Sequence, residues 1–320
     1  IIKKKKEIYN KVGKNINLLY VSARNKNKKK KYKFKKNQWI NKPINITKNS
    51  NIDVVVELVG GSDGLAKKIV ISALNNKKHV ITANKALIAK HGNYLSLLAE
   101  KNKVNLEFEA SVAGGIPIIR GIKEGLVSNK ISKLIGILNG TSNYILTEME
   151  HSGKKFSDVL KEAQNSGFAE KNPKNDLNGN DVSSKIKILS SLCFKSLISN
   201  SKILTNGIEN IEVKDINIVK KLGYRIKLLG ITEIINNSIF ERVHPSLVRI
   251  NSYIANINGV FNATIISGKP VGQSIMQGEG AGPGPTTSSL ISDLYSIIRG
   301  NIKNPFIVPH SKRKKIKIYN

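Results

Sequence analysis

An acid and an amine lie four residues apart in the segment 181–194, whose apolar residues recur with helical spacing. Asp181 and Lys185 therefore share one face of a predicted helix, in the acid-before-base orientation that stabilises helices. An exposed pair of this kind usually contributes only about 0.3–0.5 kcal/mol. An amine beside a carboxylate can also move a proton to or from a hydroxyl group. The spacing alone leaves both interpretations open.

Two more acids, Glu170 and Asp176, lie in the polar loop 167–180 that precedes this helix. With Asp181 they place three carboxylates within twelve residues of a chain that has 22 acidic and 53 basic residues. Such a cluster can hold an ammonium group through charge-assisted hydrogen bonds. Solvated loop acids are the alternative interpretation.

Two other segments contain residues that could bind a ligand or take part in catalysis. Lys85 follows the strand-like segment His79–Thr82, and a lysine at the carboxyl edge of a parallel sheet points into the ligand crevice. It could equally be an ordinary surface lysine. The segment Glu109–Ile116 (EASVAGGI) is typical of a strand that breaks into a turn, where exposed carbonyls beside a carboxylate suit a hard cation. A plain glycine turn would have the same pattern.

The elements that must position these residues alternate in type through the first part of the chain. Short apolar runs predict strands, and amphipathic segments between them predict helices (strands 15–23, 53–58, 79–82 and 106–110; helices 66–74 and 87–101). This rhythm predicts an α/β fold with a doubly wound parallel sheet of Rossmann type. After residue 131, predicted helices and strands of a second sheet indicate an α+β part, and the glycine-proline segment 277–287 predicts a loop before a last helix, 288–298.

Six short strings occur in one order: VVVELVGG, VITANKALIA, FEASVAGGIPII, LNGTSNYIL, GFAEKNPKNDLNGNDVSSKIKIL and GEGAGPGPTTS. Together they resemble homoserine dehydrogenases, from about Asn15 to Gly300. The resemblance implies reversible NAD(P)-dependent interconversion of L-homoserine and L-aspartate 4-semialdehyde, in threonine, methionine and isoleucine biosynthesis. It makes Lys185 the acid/base, with Asp181 beside it and Lys85 near the nicotinamide and the reacting hydroxyl.

The same resemblance assigns residues to the ligands. Glu170, Thr141 and, less firmly, Asp176 would bind the substrate together with Asp181. Phe168 stands where many relatives have tyrosine, so any contact of that hydroxyl is lost. Relatives bind a structural Na⁺ through the residues matching Glu109, Val112, Gly114 and Ile116. We expect the cofactor to contact Lys85, Gly282, and Gly60 and Gly61, which follow the strand at 53–58.

Arg24 follows the strand-like segment 15–23, and Lys26 and Lys28–Lys31 come after it. Basic residues there suit the 2′-phosphate of NADP, so we expect NADP(H) to be preferred over NAD(H). The general lysine content of the chain is the alternative explanation.

No GxGxxG turn occurs near residue 1, and residues 1–13 are typical of the second half of a first helix. We therefore expect the first strand to be missing and the native polypeptide to begin about 20–30 residues earlier. The predicted domains are a nucleotide-binding domain (1–138 and 283–302), a substrate-binding, catalytic and dimerisation domain (139–282) and a basic linker (303–320). In many relatives such a linker continues into an ACT-type sensing domain, so we expect the native polypeptide to extend beyond residue 320, although shorter relatives exist.

The formal net charge of +31 suggests polyanions as partners, yet few aromatic residues accompany the lysines to stack on bases. The resemblance implies a homodimer, and we expect no nucleic acid partner. We expect no membrane partner either, because no apolar run approaches the roughly 18 residues of a membrane span. The one cysteine, Cys193, fits the core of a cytoplasmic protein. The alternatives are another NAD(P)-dependent oxidoreductase of related fold and a basic nucleic-acid-binding protein.

Overall fold

The computed structural model of the protein describes residues 5–25, 34–300 and 302–319. The chain forms two compact units. Unit 1 consists of Ile1–Phe108 and Leu290–Pro305, and unit 2 consists of Glu109–Ser289 and Phe306–Asn320. Unit 2 thus begins about thirty residues before the predicted boundary at 138/139, because the chain after residue 108 adds no strand to the first sheet. The ligand that each unit binds stays a prediction.

Unit 1 alternates helices and strands, as the sequence predicts. Its elements in chain order are α1 (Lys5–Val12), α2 (Ile44–Lys48), β1 (Val54–Glu57), α3 (Leu65–Asn75), β2 (His79–Thr82), α4 (Lys85–Lys101) and β3 (Leu106–Glu107). The strands form a parallel sheet in the order β1–β2–β3. Parallel neighbours need a crossover, and α3 and α4 supply it. The carboxyl ends of β1 and β2 therefore lie at one edge of the sheet.

The predicted strand over Asn15–Ala23 is wrong in extent. In this segment only Val21 makes a β-bridge among the described residues, parallel to Trp39. Val21 N donates to Gln38 O at 2.8 Å, and Ile40 N donates to Val21 O at 3.0 Å. Apolar residues form a strand only where a neighbouring segment offers a continuous ladder of backbone hydrogen bonds. Here the ladder consists of one bridge.

Unit 2 combines helices with a mixed sheet. Its elements are α5 (Ile118–Arg120), β4 (Lys130–Ile137), α6 (Gly140–Ser152), α7 (Phe156–Asn165), α8 (Lys174–Leu177), α9 (Asn180–Phe194), β5 (Leu204–Thr205), α10 (Val213–Lys221), β6 (Tyr224–Ile235), β7 (Ser238–Arg249), β8 (Phe261–Lys269), β9 (Gly272–Glu279), the start of α11 (Pro283–Ile298) and β10 (Ile318–Tyr319). The sheet order is β10–β7–β6–β4–β8–β9, with β5 also on β7. The central pairs are antiparallel, whereas β5 and β10 run parallel to β7.

The glycine-proline loop predicted at 277–287 is shorter than expected. Strand β9 continues to Glu279, and α11 begins at Pro283. Prolines are tolerated in the first helical turn, where backbone N–H groups have no intrahelical acceptor. Gly282, with φ of +109°, makes the turn between the two elements.

Residues 306–319, which the sequence places in a basic linker, pack on unit 2. The guanidinium of Arg313 is buried over the ring of Phe306, 4.1 Å from its centroid. It donates to Ser191 Oγ (2.8 Å) and to Ser196 O (3.1 Å). A basic residue here serves packing and hydrogen bonding, because its charge is taken up by the ring and by oxygen acceptors.

The predicted fold class is confirmed: a parallel Rossmann-like sheet with helices, and an α+β part with its own sheet. Within the described parts of the chain, no helix combines the length and the apolar character that crossing a bilayer requires.

Helix α9 lies very close to the sheet of unit 2. Gly230 of β6 pairs with Gly136 of β4, and both residues therefore face the same side. A Cβ on Gly230 would lie 2.6 Å from Ile186 Cγ1 and 2.7 Å from Val182 Cγ1 of α9. The missing side chain lets α9, and with it Asp181 and Lys185, approach the end of β4.

We predict that Gly230→Ala lowers the free energy of unfolding by about 1–3 kcal/mol, since its methyl group would overlap α9. Urea denaturation measures the change. Gly125→Ala is the control, because a Cβ on this exposed glycine meets no atom within 4 Å. Equal effects of the two substitutions would contradict the close packing.

Candidate active site

The predicted acid–amine pair is a buried ion pair. Lys185 Nζ lies 2.7 Å from Asp181 Oδ2, and the two residues are only 8% and 6% exposed. Lys185 Nζ also donates to the main-chain oxygen of Leu138 at 2.6 Å. Removing two charges from water is costly unless hydrogen bonds replace the lost hydration, so this pair differs from the surface pairs that helices carry for little gain.

Asn139 completes the arrangement, and the sequence analysis missed it. Its Nδ2 donates to Asp181 Oδ2 at 2.9 Å and to Asp176 Oδ1 at 2.7 Å. Its Oδ1 accepts a hydrogen bond from Ser142 N at 2.8 Å and so caps helix α6. An asparagine just before a helical segment is a recognisable capping signal, but nothing in the sequence indicates its bonds to carboxylates about 40 residues away.

The first turn of α6 is held in place by several contacts. A Cβ on Gly140 would lie 2.7 Å from Val260 O, so a glycine is needed there. Thr141 Oγ1 donates to Phe168 O at 2.8 Å, and Ser142 Oγ donates to Asp176 O at 2.7 Å. The predicted site residue Asp176 therefore lies in the same hydrogen-bond network as Asp181 and Lys185. Thr141 lies beside that network, in the first turn of α6.

Glu170 is exposed, and its main-chain oxygen accepts a hydrogen bond from Gln164 Nε2 at 3.2 Å. Among the described residues, its carboxylate makes no hydrogen bond to the groups around Asn139. Its role in substrate binding stays a prediction.

Lys227, on β6, connects α6 to the segment 257–258 through hydrogen bonds. This lysine is 1% exposed, and its Nζ donates to Ile257 O (2.6 Å), Asn143 Oδ1 (3.2 Å) and Asn258 Oδ1 (3.2 Å). Asn143, on α6, in turn donates to three main-chain oxygens of the segment 257–261. Burial lowers the pKa of Lys227 from its usual 10.5 to about 8.

The candidate cation loop is compact. Both carboxylate oxygens of buried Glu109 accept backbone N–H groups, from Ile119 (2.9 Å) and Arg120 (2.7 Å). Burial nevertheless raises the pKa of Glu109 to about 7. Gly114 O accepts from Ser289 Oγ at 2.6 Å. The described residues contain no cluster of three or more His, Cys, Asp or Glu suited to a metal, so any ion here would depend on main-chain oxygens.

The loop borders a cleft of about 410 Å³, lined by residues of 115–117, 277–279 and 284–288. Gly115 N donates to Glu279 O at 3.1 Å, and a Cβ on Gly114 would lie 2.5 Å from Gly280 O. The segment that contains Val112, Gly114 and Ile116 thus packs backbone to backbone against the segment before Gly282.

In unit 1, the loop after β1 is tied to the start of α4. Glu57 Oε1 accepts from Val59 N (2.6 Å) and Gly60 N (3.1 Å), while Oε2 accepts from Thr82 Oγ1 (2.7 Å). Asn84, which caps α4, donates through Nδ2 to Gly61 O at 2.8 Å. These buried polar side chains lie within VVVELVGG and VITANKALIA, but their hydrogen bonds were not predicted from the sequence.

The predicted cofactor residues of unit 1 fall at and around this loop. Gly60 and Gly61 both have positive φ and open space above Cα, and Lys85 is the first residue of α4. Arg24 is exposed. The lysines at 26 and 28–31 lie outside the described residues.

Two family models match the chain. Residues 117–295 match the model described as homoserine dehydrogenase, and residues 2–109 match the model described as the NAD binding domain of homoserine dehydrogenase. The chain is 46% identical over 261 residues to homoserine dehydrogenase of Neisseria gonorrhoeae, and 47% identical over 263 residues to that of Pseudomonas aeruginosa. Each alignment covers 82% of this chain and 60% of the relative.

A crystal structure of a homoserine dehydrogenase from Thiobacillus denitrificans has the same fold, with a TM-score of 0.93 and 38% identity. The match covers 99% of this chain and 75% of that one. The chain belongs to the homoserine dehydrogenase family. It spans about 60% of the length of the curated relatives it matches.

Family membership confirms the resemblance stated from the six sequence strings. The matched NAD binding domain corresponds to the first segment of unit 1, and the second match lies largely in unit 2. Within this member of the homoserine dehydrogenase family, hydrogen bonds through Asn139 bring Asp176, Asp181 and Lys185 together in unit 2.

The buried Lys227 generates a pH prediction. The pKa of Lys227 is about 8 in the folded protein, whereas an unperturbed lysine has a pKa of 10.5. Between these pH values the unfolded chain therefore binds more protons than the folded protein. The wild type should therefore gain up to about 3 kcal/mol of stability over Lys227→Met as the pH rises from 8 to 10.5. Chemical denaturation of both proteins across this window measures the difference. A difference that stays constant with pH would contradict a depressed pKa.

Proposed function

We propose that the protein catalyses the reversible NAD(P)-dependent interconversion of L-homoserine and L-aspartate 4-semialdehyde. The observation that carries this proposal is the buried pair of Lys185 and Asp181 in a chain that belongs to the homoserine dehydrogenase family. A buried amine that is held by a carboxylate is suited to proton transfer at a substrate oxygen.

Lys185 would act as the acid and base. Among the described residues its Nζ contacts Asp181 Oδ2 and Leu138 O, which leaves one of the three ammonium N–H groups to reach a substrate. In aldehyde reduction this N–H would protonate the carbonyl oxygen, and in homoserine oxidation the neutral amine would accept the hydroxyl proton. When bound, the nicotinamide cofactor supplies or accepts the hydride.

The carboxylates would bind the ammonium group that both substrates carry. Asp176, on α8, and Asp181, at the start of α9, share the amide of Asn139, which keeps them close together. Glu170 would join them from the exposed loop, and Thr141 would contact the substrate from the first turn of α6. Charge-assisted hydrogen bonds of this kind hold an amino-acid substrate in a fixed orientation.

The residues present fit a dinucleotide. Gly60 and Gly61 have positive φ and no atom within 4 Å of a Cβ position, so a phosphate or ribose could approach their backbone closely. Gly282 would offer a similar approach, and Lys85 would lie near the nicotinamide. Arg24, exposed after the bridge at Val21, would bind the 2′-phosphate of NADP.

The oxygen donors of the 109–116 loop fit a hard monovalent cation such as Na⁺. Glu109 would contribute its carboxylate, and Val112, Gly114 and Ile116 would contribute main-chain oxygens, each of which has two lone pairs. The ion would have a structural role. We further propose a homodimer in the cytoplasm that serves threonine, methionine and isoleucine biosynthesis, in keeping with the family.

The proposed reaction predicts that Lys185→Met lowers kcat for aspartate-semialdehyde-dependent NADPH oxidation by about 10²–10⁴-fold, since the proton donor is removed. The absorbance of NADPH follows the reaction. Lys187→Met is the matched control, because Lys187 lies on the same helix and donates to Ser201 O instead. A wild-type protein with no activity, or a Lys185→Met variant as active as the control, would refute the assignment.

The proposed cofactor preference predicts that Arg24→Asp lowers kcat/KM for NADPH at least about tenfold relative to NADH, because a carboxylate repels the 2′-phosphate and favours the free ribose. Steady-state assays with both cofactors give this ratio. Arg299→Asp, at another exposed arginine of unit 1, controls for the change in net charge. An unchanged ratio in Arg24→Asp would remove Arg24 from the cofactor site.

A further inference from the structure

Two adjacent residues contact the buried ion pair, one of them the amine and the other the carboxylate. Leu138 and Asn139 connect the end of β4 to the start of α6. The main-chain oxygen of Leu138 accepts from Lys185 Nζ at 2.6 Å, and the side-chain amide of Asn139 donates to Asp181 Oδ2 at 2.9 Å. One dipeptide thus offers an acceptor to the amine and a donor to the carboxylate.

The side chain of Asn139 is fully used. An asparagine amide has two N–H donors, and here one bonds Asp181 Oδ2 while the other bonds Asp176 Oδ1 at 2.7 Å. Its oxygen caps α6 by accepting from Ser142 N. Aspartate and serine cap helices about as well as asparagine, but an aspartate side chain is not a donor at neutral pH and a serine has a single, shorter one. Capping alone therefore does not require the amide.

We infer that Asn139 is a positioning residue, which fixes the Asp181 carboxylate on Lys185 and couples Asp176 to the same point. This inference rests on the proposed function. Asp181 Oδ2 accepts from both Lys185 and Asn139, so its direction is set by two donors instead of one. The amide also lies between two carboxylates, whose negative charges would otherwise repel each other.

The orientation of Asp181 decides where the amine points. Lys185 has a long, flexible side chain, and Leu138 O with Asp181 Oδ2 takes up two of its three N–H directions. The third direction is then determined by the tetrahedral geometry of the ammonium group. If the Asp181 carboxylate turns away, the amine keeps only its hydrogen bond to Leu138 O. The N–H that transfers the proton is then no longer held in a fixed direction.

The test compares Asn139→Ser and Asn139→Asp with the wild type. Both variants keep a side-chain oxygen that can cap α6, and neither can donate to two carboxylates at once. Asn178→Ser is the matched control, because Asn178 Oδ1 likewise accepts a backbone N–H, from Asn180 at 3.0 Å, but makes no contact with either carboxylate among the described residues.

We expect kcat for homoserine oxidation to fall at least about tenfold in both Asn139 variants, and further in Asn139→Asp, with KM for the nucleotide unchanged. Crystal structures of the variants should show Lys185 Nζ more than about 3.5 Å from Asp181 Oδ2, beyond hydrogen-bond range. Asn178→Ser should match the wild type in both measurements.

The ion-pair distance decides the inference without reference to activity. If Lys185 Nζ and Asp181 Oδ2 keep their separation in Asn139→Ser, Asn139 is a helix cap only and the inference fails. A wild-type protein that is inactive with homoserine would overturn the proposed function instead. The distance from Lys185 Nζ to Asp181 Oδ2 in the variants would still test the positioning role of Asn139. Wild-type kcat in both Asn139 variants would also overturn the inference.

Discussion

The structure of unit 2 depends on how a buried ion pair is compensated. Lys185 and Asp181 lose their hydration on folding, and their mutual attraction alone rarely repays that loss. Additional hydrogen bonds make up the difference: Leu138 O for the amine, and the amide of Asn139 for the carboxylate. The pair is therefore stable only if the end of β4, the start of α6 and the start of α9 meet at one point.

Close packing of small residues makes this meeting possible. Gly230 lets α9 lie directly on the sheet, and Gly140 lets the first turn of α6 approach Val260 O. The brace of Lys227 and Asn143 then fixes α6 to the segment 257–261. A side chain at either glycine would move a helix, and a shift of a fraction of an ångström at a helix start is enough to weaken hydrogen bonds of 2.6–2.9 Å.

Local patterns in the sequence predict what depends on local geometry. The four-residue spacing of Asp181 and Lys185 predicts a shared helix face, and the alternation of elements predicts the fold class. The ladder around residues 15–23 and the boundary at Glu109 are not predictable in this way, because they depend on which distant strand is available as a neighbour. For the same reason, the role of Asn139 in the site is not predictable from the sequence. Its capping role is local, but its carboxylate partners are 37 and 42 residues away.

Glu109 and Asp181 are buried carboxylates that unit 2 compensates in different ways. Asp181 has a cation within 2.7 Å, whereas both oxygens of Glu109 accept backbone N–H groups. Burial raises the pKa of Glu109 to about 7, although those donors and the nearby charges of Arg120 and Lys123 lower it. Backbone N–H groups and neighbouring basic side chains thus offset only part of the cost of burying the Glu109 carboxylate.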